Sequence, residues 1–223
     1  MQRTIKSFVL RAGRISNRQQ QGLDEWLVEY ELPLQSTPWD FAEVFGRSAD
    51  TIVEIGFGMG ASLIEMAKER AEINFIGIEV HRAGIGSLAA DLHDLHLQNV
   101  RIVPRDAVET FRQNIPDNSL SGIQIFFPDP WPKKKHHKRR LIQPEFIDLL
   151  IEKLKPQGFI HCATDWQDYA EHILSVLTAK PTLMNQKAEG LYVEKPATRP
   201  TTKFEQRGQR LGHGTWDLVF TKK

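Results

Sequence analysis

Phe126-Phe127-Pro128-Asp129-Pro130-Trp131-Pro132 runs directly into Lys133-Lys134-Lys135-His136-His137-Lys138-Arg139-Arg140, joining one carboxylate on a proline-rich turn to an unbroken basic run. The prolines fix their own φ near about −65° and bias the preceding residues toward extended backbone, so Asp129 and Trp131 are expected on a stiff loop that can present a reacting group. Beside it, Lys135, His136, His137, Lys138, Arg139 and Arg140 are candidate contacts to a polyanion such as RNA. The plainer readings are that the prolines end a strand and that the charges form a solvated face or a localisation signal. His136 and His137 are adjacent and point different ways, a poor metal arrangement, so no metal site is expected.

The elements that must hold these groups alternate between short apolar runs and amphipathic stretches, the pattern of βαβ units on a mainly parallel sheet. Strands are expected at Thr51 to Ile55, Asn74 to Glu79, Val100 to Val103, Gly122 to Phe127 and Gly158 to Thr164, with a late, antiparallel one at Trp216 to Phe220. Ala61 to Arg70 reads as a helix that buries Leu63, Ile64, Met66 and Ala67. An acid falls at or just after most strand ends: Glu79, Asp106, Asp129 and Asp165, with Glu54 one residue inside the first strand. Open α/β sheets bind ligands outside the carboxyl ends of their strands, at the switch in strand order.

Between the first strand and its helix lies Gly56-Phe57-Gly58-Met59-Gly60, a turn that lets the backbone approach a ligand closely. Glu79, at the end of the second strand, can accept from both hydroxyls of a ribose, so a nucleoside-containing cofactor is implied. Gly56, Gly58 and Ala61 with Glu79 also satisfy a dinucleotide fingerprint, which keeps NAD open, as does a plain strand-to-helix turn. The other acids favour a different ligand. Glu54 beside the turn can meet a cationic group and Asp106 an adenine amine. S-adenosylmethionine offers both, together with a ribose, and brings no pyrophosphate.

Length and composition bound the rest. At 223 residues the chain is the size of a single core, and its formal net charge of +1 makes the basic run a local feature. One cysteine, Cys162, excludes a disulfide framework and gives no zinc spacing. No apolar run approaches the ~20 residues that span a bilayer, so a cytoplasmic protein with no membrane contact is expected. Residues 1–24 carry Arg3, Lys6, Arg11, Arg14 and Arg18 with no acid before Asp24, read as a flexible basic arm ahead of a single domain over 25–223. Such an arm is either a phosphate contact or a solvated terminus.

These residues resemble the bacterial-type tRNA (guanine-N7-)-methyltransferases, within the class I S-adenosylmethionine-dependent superfamily. The resemblance rests on Glu54 to Ala67, Phe75 to His81, Asp106-Ala107-Val108-Glu109, the Pro-Asp-Pro-Trp core, Ala163-Thr164-Asp165-Trp166 and Thr202-Lys203-Phe204-Glu205-Gln206-Arg207-Gly208. It implies a Rossmann-like class I methyltransferase fold: a mostly parallel sheet, an antiparallel C-terminal strand and helices on both faces. The implied reaction is methyl transfer from S-adenosylmethionine to N7 of a guanine in the tRNA variable loop. By position it assigns Glu54, Glu79, Asp106 and Asp129 to the cofactor, with Gly56 and Gly58 in the turn, and makes Asp129 the catalytic residue. Lys133, Asp165, Thr202, Lys203, Phe204 and Glu205 fall at substrate-binding positions. No obligate protein partner is evident. Two other classes stay open, an NAD-dependent oxidoreductase and a noncatalytic RNA-binding protein on a methyltransferase fold.

Overall fold

The computed structural model describes residues 7–8, 13–187, 191–201, 205 and 214–223. Thr202, Lys203 and Phe204, and the arm residues Arg3, Lys6 and Arg11, lie outside the described residues.

Three short helices come first, Asn17–Gln21 (α1), Leu27–Tyr30 (α2) and Phe41–Phe45 (α3). Thr51–Ile55 (β1), Ala61–Glu69 (α4), Asn74–Ile78 (β2), Arg82–Asp94 (α5), Val100–Val103 (β3), Ala107–Gln113 (α6) and Leu120–Phe126 (β4) then alternate strand with helix. Pro144–Lys153 (α7), Leu154–Thr164 (β5), Gln167–Thr178 (α8), Leu183–Asn185 (β6) and Trp216–Lys222 (β7) complete the order.

The strands make one sheet in the order β3-β2-β1-β4-β5-β7-β6. β1 pairs in parallel with β2 on one side and β4 on the other, so the strand order reverses there. β7 is antiparallel to both β5 and β6. Both faces are covered, and the period of two along each strand sorts the side chains between them. Val53, Ile55, Ile76, Ile78, Ile123 and Ile125 pack with Phe111, Ile147, Leu150 and Ile173 of α6, α7 and α8. Ile52, Phe75, Ile102 and Ala163 turn the other way, onto Leu63 and Met66 of α4 and Leu88 and Leu92 of α5.

Two stretches differ from the sequence expectation. β5 begins at Leu154, before Pro156, because Gln157 takes φ 65° and the pairing with β4 shifts register between Leu120 and Gly122, a bulge that carries the ladder past a residue with no N–H. β6, only three residues long, carries no alternating pattern and was not expected.

Residues 16–26, of which 16–24 were expected in a flexible arm, form α1 and a wide helical turn that contact α5. Ser16 accepts from the Gln19 amide while the Gln19 side chain accepts from the Ser16 amide, a reciprocal cap. Arg18 donates to Asp91 at 2.7 Å and Asp94 at 2.6 Å. A Cβ on Gly86 would lie 2.1 Å from the Gln19 carbonyl oxygen, so this docking requires glycine in α5. The expected boundary at residue 24 therefore falls inside a packed segment. Among the described residues no helix is long and apolar enough to cross a membrane.

Candidate active site

The turn after β1 holds Gly56, Gly58 and Gly60 at φ 76°, 59° and 85°, backbone that glycine enters without strain. It leads into α4 at the point where the strand order reverses. A cavity opens there, over the carboxyl ends of β1 to β4, lined by Ile55, Gly56, Glu79, Val80, His81, Arg105, Asp106, Phe126, Phe127, Pro128 and Asp129, with Ser7 and Phe8 on its rim. Three of the sequence-selected acids, Glu79, Asp106 and Asp129, thus share one wall system.

Each acid is held differently. Glu79 is buried, with one carboxylate oxygen accepting from the Gly58 amide at 3.0 Å and the other from Val80 at 2.7 Å and His81 at 3.1 Å. An ionised carboxylate has roughly four acceptor positions, so Glu79 keeps about one uncommitted, room for one hydroxyl where two were expected. Asp106 caps α6 through the Glu109 amide at 3.1 Å and contributes to the cavity from a half-buried position. Asp129 is exposed at the cavity edge.

Glu54 sits apart from that lining. It is 2% exposed; Ser62 donates to one of its oxygens at 2.8 Å, and the other oxygen, Oε2, is buried without a hydrogen-bond partner among the described residues. Burial pushes its pKa up to about 7, with the Ser62 hydrogen bond opposing and the Glu79 charge adding to the rise. Because the folded value lies above the unfolded one, Glu54 contributes stability that is present below the ordinary Glu range and is lost as pH rises through about 7. The ligand-free protein should lose up to about 3 kcal/mol between pH 4.5 and 8 from this group, and Glu54→Gln should largely remove that decline. Thermal melting against pH checks it; parallel curves for the two proteins would contradict the assignment.

The Pro-rich loop departs from the extended backbone expected before proline. Phe127, before Pro128, and Trp131, before Pro132, take φ 51° and 44°, a left-handed conformation disfavoured for bulky residues. Surrounding contacts hold them there. The Phe127 amide donates to the Ala163 carbonyl at 2.8 Å, and the Trp131 indole N–H donates to the Ser7 carbonyl at 3.1 Å. Arg139 stacks on the Trp131 ring at 4.0 Å and donates to the Phe8 carbonyl at 3.4 Å, while His136 meets the same ring edge-on. Trp131 is therefore a packing residue of the loop.

The basic run, Lys134–Arg139 being a short 3-10 helix, divides into two groups. Lys133, Lys134, Lys135 and Lys138 are exposed. Arg140, expected at an RNA surface, is instead 3% exposed: it donates to the Pro130 carbonyl at 2.9 Å, pairs with Asp168 and lies 4.8 Å from the Tyr169 ring. A charge run reads as solvated in sequence; Arg140 is buried because its guanidinium ties the loop to α8. His137 Nε2 lies 3.2 Å from the same guanidinium. Desolvation, then the charges of Lys135 and Lys133, holds the His136 pKa below its ordinary value, so its ring carries little charge at neutral pH.

Asp165, after β5, lies in a second cleft with Trp166, Gln167, Asp168, Glu171 and Trp216. Both tryptophans line it because Thr164, two residues before Trp166, pairs with Trp216 across β5 and β7. Glu205 is in neither cavity. It is 2% exposed, and both its oxygens accept from Arg199, at 2.8 and 2.9 Å. Arg199 also donates to Asp217 at 2.7 and 2.8 Å, and Asp217 pairs with His161 at 2.7 Å. Sequence reading missed Arg199, Asp217 and His161; the only signal was that Asp217 falls in the expected late strand Trp216 to Phe220. Among the described residues no group of three or more His, Cys, Asp or Glu side chains could hold a metal ion.

Comparison with known proteins adds independent findings. Residues 48–218 match the family described as putative methyltransferase. Over 225 residues, covering all of both chains, the sequence is 67% identical to the tRNA (guanine-N(7)-)-methyltransferase of Legionella pneumophila strain Philadelphia 1. It is 52% identical over 220 residues to that of Shewanella amazonensis, covering 99% of this chain and 92% of the relative. Among solved structures, the 16S rRNA methyltransferase KamB superposes with a TM-score of 0.61 at 12% identity, covering 85% of this chain and 95% of that one. A SAM dependent methyltransferase from Aquifex aeolicus superposes at 0.55 with 13% identity, covering 82% and 88%. At such identities the structural likeness speaks for the fold alone.

Proposed function

The chain belongs to the tRNA (guanine-N7-)-methyltransferase family, and from that membership together with the strand-end cavity we propose how its residues divide the work. It is an S-adenosylmethionine-dependent transferase that methylates N7 of a guanine in tRNA. The finer reading, a guanine of the variable loop, rests on the accessibility of loop bases for edge recognition. A tRNA substrate also argues for a cytoplasmic enzyme.

The observation that carries the cofactor side is the buried, partnerless Oε2 of Glu54 beside the glycine turn, an acceptor in want of a donor. A cofactor bearing an ammonium, a ribose and an adenine fits the donors these acids lack. Glu79 takes one ribose hydroxyl on its uncommitted acceptor position, Asp106 meets the adenine amine, and Gly56 and Gly58 allow close approach. A pyrophosphate would face Glu79, Asp106 and Asp129, and Arg105 is engaged with Glu31 at 3.2 Å and the Leu32 carbonyl at 3.1 Å. NAD is disfavoured on that ground. When bound, S-adenosylmethionine supplies an electrophilic methyl group whose transfer leaves a neutral thioether.

Guanine N7 carries an in-plane lone pair and no proton, so the site needs no general base. Its ring becomes cationic as the new bond forms, and the Asp129 carboxylate at the cavity edge stabilises that charge. Alignment of the reacting atoms supplies much of the rate, and the Pro-rich loop fixes Asp129 for it. On the RNA side, Lys133 and its exposed neighbours hold phosphates. Asp165, in the second cleft with Trp166 and Trp216, accepts from N1–H and N2–H of the guanine. Those donors lie on the edge opposite N7, so the base held there keeps N7 free. Thr202, Lys203 and Phe204 are assigned to the substrate by position alone, and Glu205 is held by Arg199.

Glu79→Ala and Asp106→Ala should each weaken S-adenosylmethionine binding by about tenfold, roughly one lost hydrogen bond to a charged group, and leave tRNA affinity nearly unchanged. Equilibrium titration of each variant with S-adenosylmethionine, NAD and tRNA separately tests this. Unchanged cofactor affinity in both variants, or tighter binding of NAD by the wild type, would remove the proposed site. Binding of tRNA with no cofactor affinity would favour a noncatalytic RNA-binding role.

A further inference from the structure

Arg199 is 1% exposed and directs all three guanidinium nitrogens at two carboxylates. Nη1 and Nη2 fork onto Glu205 at 2.8 and 2.9 Å, and Nε and Nη2 fork onto Asp217 at 2.7 and 2.8 Å. Two bidentate pairs on one side chain fix its plane as well as its position. The plane lies against the loop that carries Asp129: the guanidinium carbon is 5.8 Å from the Phe126 ring centre and 5.6 Å from that of Phe127. Phe127 is the residue held at φ 51°, two before Asp129.

The backbone around Arg199 is anchored too. Its amide donates to the Pro196 carbonyl at 3.0 Å, and Val193 bridges to Asp217. Asp217 in turn binds His161 of β5 at 2.7 Å, and the His161 ring meets Phe126 edge-on at 5.0 Å. Through Arg199 and Asp217 one network thus connects β5, the start of β7, Glu205 and the entry to the Asp129 turn. Two buried carboxylates against one guanidinium would leave excess negative charge. Lys195, 3.6 Å from Glu205 at the rim, offsets part of it.

We propose that Arg199 is the positioning residue that sets the Asp129 turn and Glu205 in one frame, so that the methyl-donor side and the RNA side of the site are aligned. This rests on the roles given above to Asp129 and to the C-terminal segment. Arg199 touches neither cavity and acts through Phe127 and Glu205. Lysine cannot reproduce its role, because an ammonium is a point charge with no planar fork and no face to stack.

Wild-type methylation of tRNA tests the underlying reading, and only then are variants compared. Arg199→Lys, saturated in both ligands, should lower the single-turnover rate about tenfold or more, with equilibrium affinities for S-adenosylmethionine and tRNA within about twofold of wild type. Combined with Asp129→Asn it should cost less than the product of the two separate losses, since both act through one turn. Asp217→Asn lines neither cavity and is nearly isosteric; it should reduce the rate in the same direction, by severalfold, and it decides the matter if Arg199→Lys does not fold. A folded Arg199→Lys or Asp217→Asn with wild-type rate would overturn the proposal, as would multiplicative losses in the double variant. Unfolding of both single variants would assign the network to stability alone and overturn it equally.

Discussion

Asp129→Asn should lower the single-turnover rate of methyl transfer by about 10²-fold while tRNA affinity falls far less. The substitution keeps the shape of the side chain and removes its charge. Nothing on guanine N7 has to be deprotonated, so any loss measures how the carboxylate stabilises the cationic ring and not how it handles a proton. Asp129 is exposed at the cavity edge in the ligand-free protein, where water would screen its charge. Its electrostatic effect therefore depends on the bound tRNA excluding that water, and saturation in both ligands is part of the test. Rates equal to wild type under saturation would rule the electrostatic role out.

Replacing Lys133, Lys134, Lys135 and Lys138 together with Gln should flatten the plot of log tRNA affinity against log salt by up to about three to four units of slope, at about 0.7 to 0.9 per phosphate contact. Between about 50 mM and 200 mM salt that is about a 10²-fold difference in how far affinity falls. Affinity for S-adenosylmethionine should not change, because the methyl donor offers no phosphate. The choice of residues follows from burial. These four lysines are exposed, whereas Arg139 covers Trp131 and Arg140 is locked between Pro130, Asp168 and Tyr169. A variant at Arg140 would report on the loop and on stability, since its buried guanidinium joins the Pro130 carbonyl to Asp168 and lies against the Tyr169 ring. An unaltered slope in a quadruple variant with normal melting would make the run a solvated face and move the tRNA path toward Arg14 and the residues before it.

Much of the sheet was legible because its first two parallel strands are runs buried on both faces: Thr51–Ile55 and Asn74–Ile78 are buried at every position. The acids at strand ends followed from that placement, and the cavity does collect Glu79, Asp106 and Asp129. Partners distant in sequence were not legible. Arg140 reads as one more exposed charge until Asp168, across the loop on α8, is beside it. Glu205 reads as a free acceptor until Arg199 occupies both its oxygens. The backbone at Phe127 and Trp131 runs against the local proline rule because hydrogen bonds to Ala163 and Ser7 override it, and nothing in a seven-residue window reports those contacts. The division of the basic run into a binding face and a structural strut has the same origin: it is a property of packing, invisible to composition.

The central claim, methylation of guanine N7 in tRNA with S-adenosylmethionine as donor, is tested most directly by mass mapping of nucleosides in unmodified tRNA after reaction with the wild-type protein. The expected result is a single new methyl group on a variable-loop guanosine, located at N7, present with S-adenosylmethionine and absent without it. No methylated nucleoside under conditions where both ligands are shown to bind, or a methyl group on another base or on another atom of guanine, would contradict the account.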